Sequence, residues 1–176
     1  MKVIDNFLDR GDFLYLKDII SSNQFKWALI QKANSNSIEE NQIQLIHSII
    51  QGGNGWVEPN LFSPFNMVLM PPIMNTLKEK MNYKKVVVCR AKVNCFMKQP
   101  NHVPLGYHQD IDDSEVYKTI LLHFETNNGY TEFKTGEKIT TVANRALIFD
   151  ANKFHQTVTQ TDIMFRRNIN INYMEI

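Results

Sequence analysis

From residue 117 to the C-terminus the chain is a succession of short β-forming runs separated by turn residues, and that rhythm limits the fold more than any other feature. Residues 117–124 are rich in β-branched and aromatic side chains, which suit a pleated, half-buried surface. Thr126, Asn127, Asn128 and Gly129 read as a turn cluster, because Asn and Gly tolerate positive φ. Alternation resumes at 130–133, a second turn falls at 134–137, and further runs follow at 138–142, 144–149 and from 155 onward, with a turn at 150–153. Short strands at this spacing predict a sandwich or barrel.

A set of donors is threaded through the same region: His108 and Asp110 around Gln109, His155, and then Arg166. Two imidazoles and one carboxylate are the donor set of the facial triad that holds non-haem Fe(II) with coordination positions left open. If residues 107–110 are extended, i and i+2 project to one face, so His108 and Asp110 can chelate a single ion. His155 follows 47 residues after His108, room enough for strands and turns to bring the chain back. Arg166 adds a rigid fork of donors that pairs bidentately with a carboxylate and suits the far carboxylate of 2-oxoglutarate. His47, His102 and His123 have no partner at chelating spacing and read as structural or exposed, while Asp112 and Asp113 read as a solvated turn. Arg145 reads as cover for the sheet surface.

Composition sets outer limits. With 176 residues, 43% hydrophobic and a net charge of +1, the expectation is a single domain over 1–176, with 1–85 as helical and β support and 86–176 as the core that carries the chemistry. No basic run interleaves with aromatics, which argues against a tight nucleic-acid groove. Cys89 and Cys95 fall six apart on one extended run, too far to bridge each other. Reduced thiols fit a cytoplasmic protein. The N-terminus meets Asp5 before any apolar stretch, so the reading is neither a signal peptide nor a membrane span. Asp9 is placed to cap a helix in which Phe13, Leu16, Ile19 and Ile20 recur at helical spacing. Residues 42–50 fit helix or strand, with alternation favouring strand. Residues 52–55 read as a flexible glycine loop, and Pro71 and Pro72 as the opening of a second helix over 73–81. Pro100, Pro104 and Gly106 make 99–106 an irregular rim that leads into the donor set and borders a substrate entrance, with 52–55 as a neighbour.

Taken together, Gly129, Thr131 and Phe133, then Asn144, Arg145, Leu147 and Phe149, then His155, and finally Arg166, Ile169, Ile171 and Tyr173 resemble the prolyl-hydroxylase-like branch of the 2-oxoglutarate/Fe(II)-dependent dioxygenases. The resemblance covers most of 86–176, and through 127–131, 142–145 and 166–173 it is similar to small phage-encoded members. It implies a mainly β fold, a double-stranded β-helix (jelly-roll) core with N-terminal helices packed on one sheet. It also implies Fe(II) on His108, Asp110 and His155, 2-oxoglutarate on the metal and Arg166, O2 as co-reactant, and hydroxylation of a C–H bond with release of succinate and CO2. One departure stands out: related enzymes carry Asn-x-Tyr on the strand before the donor set, where this chain has Asn94, Cys95 and Phe96. A hydrogen bond to the cosubstrate is then lost, or is taken over by Asn94 or a water.

In such a core the last strand should turn Arg166, Asn168, Asn170 and Asn172 inward, with Asn168 an auxiliary donor to the cosubstrate. Ile169, Ile171 and Tyr173 then face the helices, and Arg167 escapes at the rim. A protein residue or a small molecule is favoured as substrate over a nucleobase, although Ile111, Asp112 and Asp113 after the donor set echo alkylated-base repair enzymes. The oligomeric state is not legible. Two readings from other classes compete: a cupin-like metal-dependent isomerase or lyase, which would not need Arg166, and a catalytically silent jelly-roll binding module.

Overall fold

A computed structural model describes residues 1–30, 44–53, 56–112 and 116–176. Among the described residues two antiparallel sheets face each other. The larger has the order β1 (Lys2–Ile4), β9 (Ala146–Asp150), β6 (Tyr117–His123), β11 (Phe165–Glu175), β5 (Val86–Met97), β3 (Gln44–Gly53) and β2 (Ala28–Ile30), with β4 (Trp56–Phe62) paired to β3. The smaller has the order β10 (His155–Val158), β7 (Asn127–Phe133) and β8 (Lys138–Thr141). This is the expected jelly roll. Two helices, α1 (Arg10–Ser21) and α2 (Asn66–Met81), cover the outer face of the larger sheet.

The central strands fix which side chains point inward. Ile169, Ile171 and Tyr173 of β11 join Ala91 and Val93 of β5, Ile120 and Leu122 of β6, and Leu16, Ile20, Leu69, Ile73 and Leu77 of the helices in one core. Burying each of the aliphatic side chains contributes about 1.5–3 kcal/mol. A one-residue slip of β11 would exchange that apolar row for Arg166, Asn168, Asn170 and Asn172, so the register is firmly specified. Those four polar residues are also buried, on the opposite face, between the sheets. A smaller cluster of Leu121, Leu147, Phe133 and Phe149 joins the two sheets from within.

Helix α1 begins as its sequence suggests, with the Asp12 amide donating to Asp9 Oδ1 at 2.9 Å, which satisfies one otherwise orphaned donor. Arg145 does more than cover the sheet: its Nε and Nη2 donate to both oxygens of Asp5 at 2.6 and 2.9 Å. Next to it Asn144, at φ 59°, exchanges two side-chain hydrogen bonds with the Leu8 backbone and holds the N-terminal segment to the sheet.

Three local expectations need correction. Helix α2 starts at Asn66, so Pro71 and Pro72 lie inside it. The turn ahead of them is held by Leu69 and Met70, buried against the sheet, and packing of an apolar face outweighs the preference of proline for the first turn. Gly52 and Gly53 belong to β3, opposite Val57 and Trp56 of β4, rather than to a loop; residues 54 and 55 lie outside the described residues. Asn127, Asn128 and Gly129 open strand β7 instead of forming a turn, and none of them has positive φ.

Candidate active site

The loop before the donor set is less irregular than its prolines suggest. It lies along β10, with the Leu105 amide donating to Thr157 O and the Thr159 amide to Val103 O. His108 and His155 exchange both backbone hydrogen bonds, at 2.9 and 3.0 Å. Gly106 makes the turn into this pairing at φ 87°, a conformation costly for any residue with a Cβ. Residues 107–110 are therefore anchored to the smaller sheet without forming a regular strand, and the Asp110 amide is fixed on Ala151 O.

This pairing brings His108, Asp110 and His155 together, with one ligand atom of each within 4.8 Å of the others, a spacing that can hold one metal ion. The imidazole rings lie 4.4 Å apart between centroids. His155 Nδ1 contacts Lys153 O at 2.9 Å; a carbonyl only accepts, so the proton sits on Nδ1 and Nε2 keeps its lone pair for a metal. The Phe149 ring packs edge-on against the same imidazole at 4.7 Å. Burial, followed by the neighbouring His155, pushes His108 down to about 4, which keeps it neutral at physiological pH.

The Asp110 carboxylate is the most heavily supported group in the site. Oδ1 accepts from Arg90 Nη2 at 3.1 Å and Asn170 Nδ2 at 3.2 Å, and Oδ2 accepts from Thr119 Oγ1 at 2.8 Å. Arg90 Nε donates to Asn172 Oδ1, and Asn172 Nδ2 donates to Thr119, closing a ring of contacts around the carboxylate. Burial alone would raise Asp110, yet His155, Arg90, His108 and Lys92 hold it down at about 2.

Arg166 occupies another part of the same interior. Its side chain has no solvent exposure, and Nη1 donates to Val158 O at 2.8 Å. Among the described residues Nε and Nη2 have no partner, and no carboxylate pairs with the group. The guanidinium lies 5.9 Å from the centre of the Phe96 ring. Burial pushes its pKa down to about 10. Gly129 is what lets it fit: a Cβ there would lie 3.0 Å from Arg166 Nη1 and from Val158 O, and 2.9 Å from Asn127 Oδ1. Arg167 does not simply escape at the rim but pairs with Glu125 at 2.7 Å and donates to Ser21 at the end of α1.

Asn94 and Asn168 face each other across β5 and β11. Asn94 Nδ2 donates to Asn168 Oδ1 at 2.9 Å, and Asn94 Oδ1 accepts from Gln44 Nε2 at 2.9 Å. Asn168 Nδ2 is left without a protein acceptor among the described residues. With Phe96, Leu105, His108, Leu121, His155 and Asn170 these residues line one cavity.

Several contributors escaped the sequence reading. His123, expected to be structural or exposed, is fully buried with neither ring nitrogen partnered among the described residues; burial, then Arg166 and Arg145, pushes it down to about 3. Asn127 Nδ2 and Thr131 Oγ1, on the face of β7 that approaches Arg166 at Gly129, are also without partners among the described residues. Arg90, Lys92 and Thr119 were missed as well. The alternation that assigned β11 would have found the first two, since Arg90 and Lys92 share a face of β5 with Asn94; Thr119 and His123 share a face of β6 with Leu121, whose inward direction is set by packing against the smaller sheet.

By sequence the chain matches no family model and no curated protein. By structure it is similar to a 2OG-Fe(II) oxygenase family oxidoreductase from Burkholderia pseudomallei (TM-score 0.72, 7% identity, 98% of this chain and 84% of that one). It is also similar to a prolyl hydroxylase from Trichoplax adhaerens solved with a hypoxia inducible factor peptide (0.65, 14%, 99% and 83%). A third is the viral collagen prolyl hydroxylase of Paramecium Bursaria Chlorella virus-1 (0.64, 15%, 98% and 95%). The fold is that of the 2-oxoglutarate/Fe(II) oxygenases, prolyl hydroxylases included.

Proposed function

We propose that the protein is a non-haem Fe(II)- and 2-oxoglutarate-dependent dioxygenase that hydroxylates a C–H bond of its substrate. The observation that carries this reading is the buried Arg166 guanidinium, without a carboxylate partner among the described residues, in the same interior as a His-x-Asp…His cluster. A buried charge without a partner is costly, and a dicarboxylate bridging metal and arginine would supply the missing anion. A cupin-like isomerase or a silent binding module has no use for that arginine.

The residues present fit the group. His108, Asp110 and His155 would hold Fe(II); Arg166 would take the distal carboxylate, assisted by donors without partners among the described residues, namely His123, Asn127 and Thr131, and by Asn168. Phe96 places a ring where related enzymes carry a phenol, and His123 of β6, in register with Asn168 of the intervening β11, offers a polar atom in compensation. When bound, the metal and 2-oxoglutarate supply an O2-derived oxidant: one oxygen atom goes to succinate as CO2 is lost, and the other becomes the substrate hydroxyl. The chain's own part is to orient and to exclude. Arg90, Thr119 and Asn170 keep Asp110 ionised and aimed, Lys153 O keeps the proton of His155 away from its ligand nitrogen, and Leu121 and Phe149 keep water from the interior.

The test is an anaerobic titration with Fe(II) and 2-oxoglutarate, following the visible charge-transfer absorption of the chelate. Its appearance in the wild-type protein and its loss in Arg166→Met are the expected results. A well-folded protein that binds Fe(II) yet gives no such absorption would remove the reading.

A further inference from the structure

One cation in the site has no task in the reading above. Lys92 lies on the inner face of β5, in register with Asn170 on one side and Ser48 on the other. It lines the same cavity as His108 and His155. Arg90, two residues away, is occupied by Asp110 and Asn172. Lys92, by contrast, makes no hydrogen bond or ion pair with any described residue. Its register partner Asn170 donates to Asp110, and the cavity it lines is that of His108 and His155, so the residue lies on the triad's side of the sheet. Arg166 is opposite Phe96, four residues along β5 and about 13 Å away at the rise of an extended strand. The two cations therefore serve different parts of the interior.

Charge balance indicates what Lys92 meets. With a divalent metal and the dicarboxylate in place, Arg90, Lys92, Arg166 and the metal still outweigh Asp110 and the two carboxylates. A lysine loses much of its hydration in such a place, and burial followed by Arg90 lowers its pKa; the arrangement is favourable when an anion enters with it. Lys92 is half-buried in the wall of the cavity, and the confines of that cavity limit the size of the anion. A group that reaches Lys92 stands next to Asn170, whose side chain already touches Asp110, so it lies within a few bonds of the carbon to be oxidised. An internal residue of a peptide has no main-chain carboxylate to place there.

Resting on the dioxygenase reading, we infer that Lys92 recognises a carboxylate of the primary substrate, and that the substrate class is a small carboxylic acid, such as a free amino acid, hydroxylated close to its carboxylate. The experiment uses the full chain loaded with Zn(II) and 2-oxoglutarate, so that binding is read by thermal unfolding without turnover, and then the Fe(II) protein in air, read by succinate release. The probes are the free proteinogenic L-amino acids and small dicarboxylic acids, each against its carboxamide. The expected result is that at least one free acid raises the unfolding midpoint and speeds succinate release, while its amide needs roughly tenfold or more concentration for the same response. In Lys92→Met, which keeps the apolar stem, the difference between acid and amide disappears while the shift due to 2-oxoglutarate stays within about twofold of wild type in apparent affinity. Equal responses to acids and amides, no response to any probe, or a response only to acidic peptides would overturn the inference. So would loss of 2-oxoglutarate binding in Lys92→Met, which would assign the lysine to the cosubstrate. Failure of the wild-type protein to bind 2-oxoglutarate at all would instead remove the reading on which it rests.

Discussion

Replacing Arg166 by methionine should uncouple stability from cosubstrate binding, in a direction unusual for truncating a large buried side chain. Burial lowers the Arg166 pKa from its ordinary 12.5 to about 10; at about 1.36 kcal/mol per pH unit this corresponds to a penalty of about 3 kcal/mol on the charged form. Against that stands the hydrogen bond from Nη1 to Val158 O, whose loss strands a buried carbonyl at about 1–3 kcal/mol. Methionine refills much of the stem. Without ligand, Arg166→Met should therefore unfold between unchanged and about 2 kcal/mol more stable than wild type. Saturating 2-oxoglutarate with Mn(II), which binds without turnover, should stabilise wild type by about 2.7 kcal/mol at a hundredfold excess over Kd and the variant hardly at all. Arg167→Met is the control. It breaks a mostly buried pair with Glu125, so it should cost about 1–3 kcal/mol, discounted for partial exposure, and keep the response to 2-oxoglutarate. Urea unfolding of the three proteins with and without ligand decides the matter. An Arg166→Met protein several kcal/mol less stable than wild type, with its ligand response intact, would refute the assignment of this guanidinium as a poised anion site.

Other outcomes follow from the same interior. His108→Ala, Asp110→Ala and His155→Ala should each abolish Co(II) binding in a spectroscopic titration while leaving the far-ultraviolet circular dichroism unchanged; undiminished binding in any one would remove that residue from the triad. Gly129→Ala would place a methyl 2.9–3.0 Å from Asn127 Oδ1, Arg166 Nη1 and Val158 O, so it should cost about 1–3 kcal/mol and weaken 2-oxoglutarate binding; a neutral effect on both would mean that β7 yields freely. His123 is buried neutral, at about 3 against an ordinary 6.5. Between those values the unfolded chain takes up a proton that the folded chain does not, so stability should decline as pH falls from 6.5, by about 2 kcal/mol at pH 5. His123→Leu should flatten that part of the pH–stability curve, and an unaltered slope would show the imidazole to be solvated.

Much of the site was legible because strand periodicity is short-range physics. Alternation in 166–173 places Arg166 and the asparagines on one face and Ile169, Ile171 and Tyr173 on the other, and the apolar row is indeed buried under the helices. The same rule, applied to 86–97, would have found Arg90 and Lys92, since both share a face with Asn94, already singled out; on 117–123 both faces carry apolar residues, and only the packing of Leu121 between the sheets shows that Thr119 and His123 point inward. The misjudged segments share a cause. Pro71, the pair Gly52 and Gly53, and Asn127 to Gly129 all carry local signals for helix start, loop or turn, and in each case packing or strand pairing prevails: the sheet under α2, the immediately following strand β4, and strands β8 and β10.

By itself the sequence determined the donor types, their order, the strand rhythm and the face on which each central side chain lies, because these depend on residue chemistry and a two-residue period. Only the tertiary structure decided that His108 and His155 meet as a backbone-paired bridge, that Arg90, Thr119 and Asn170 surround Asp110, and that Arg166 is buried without an acidic partner among the described residues. Those facts are distances between residues tens of positions apart and the desolvation that comes with closing a barrel over them. No local pattern encodes either quantity, since both arise from which strands become neighbours when the apolar faces find a common core.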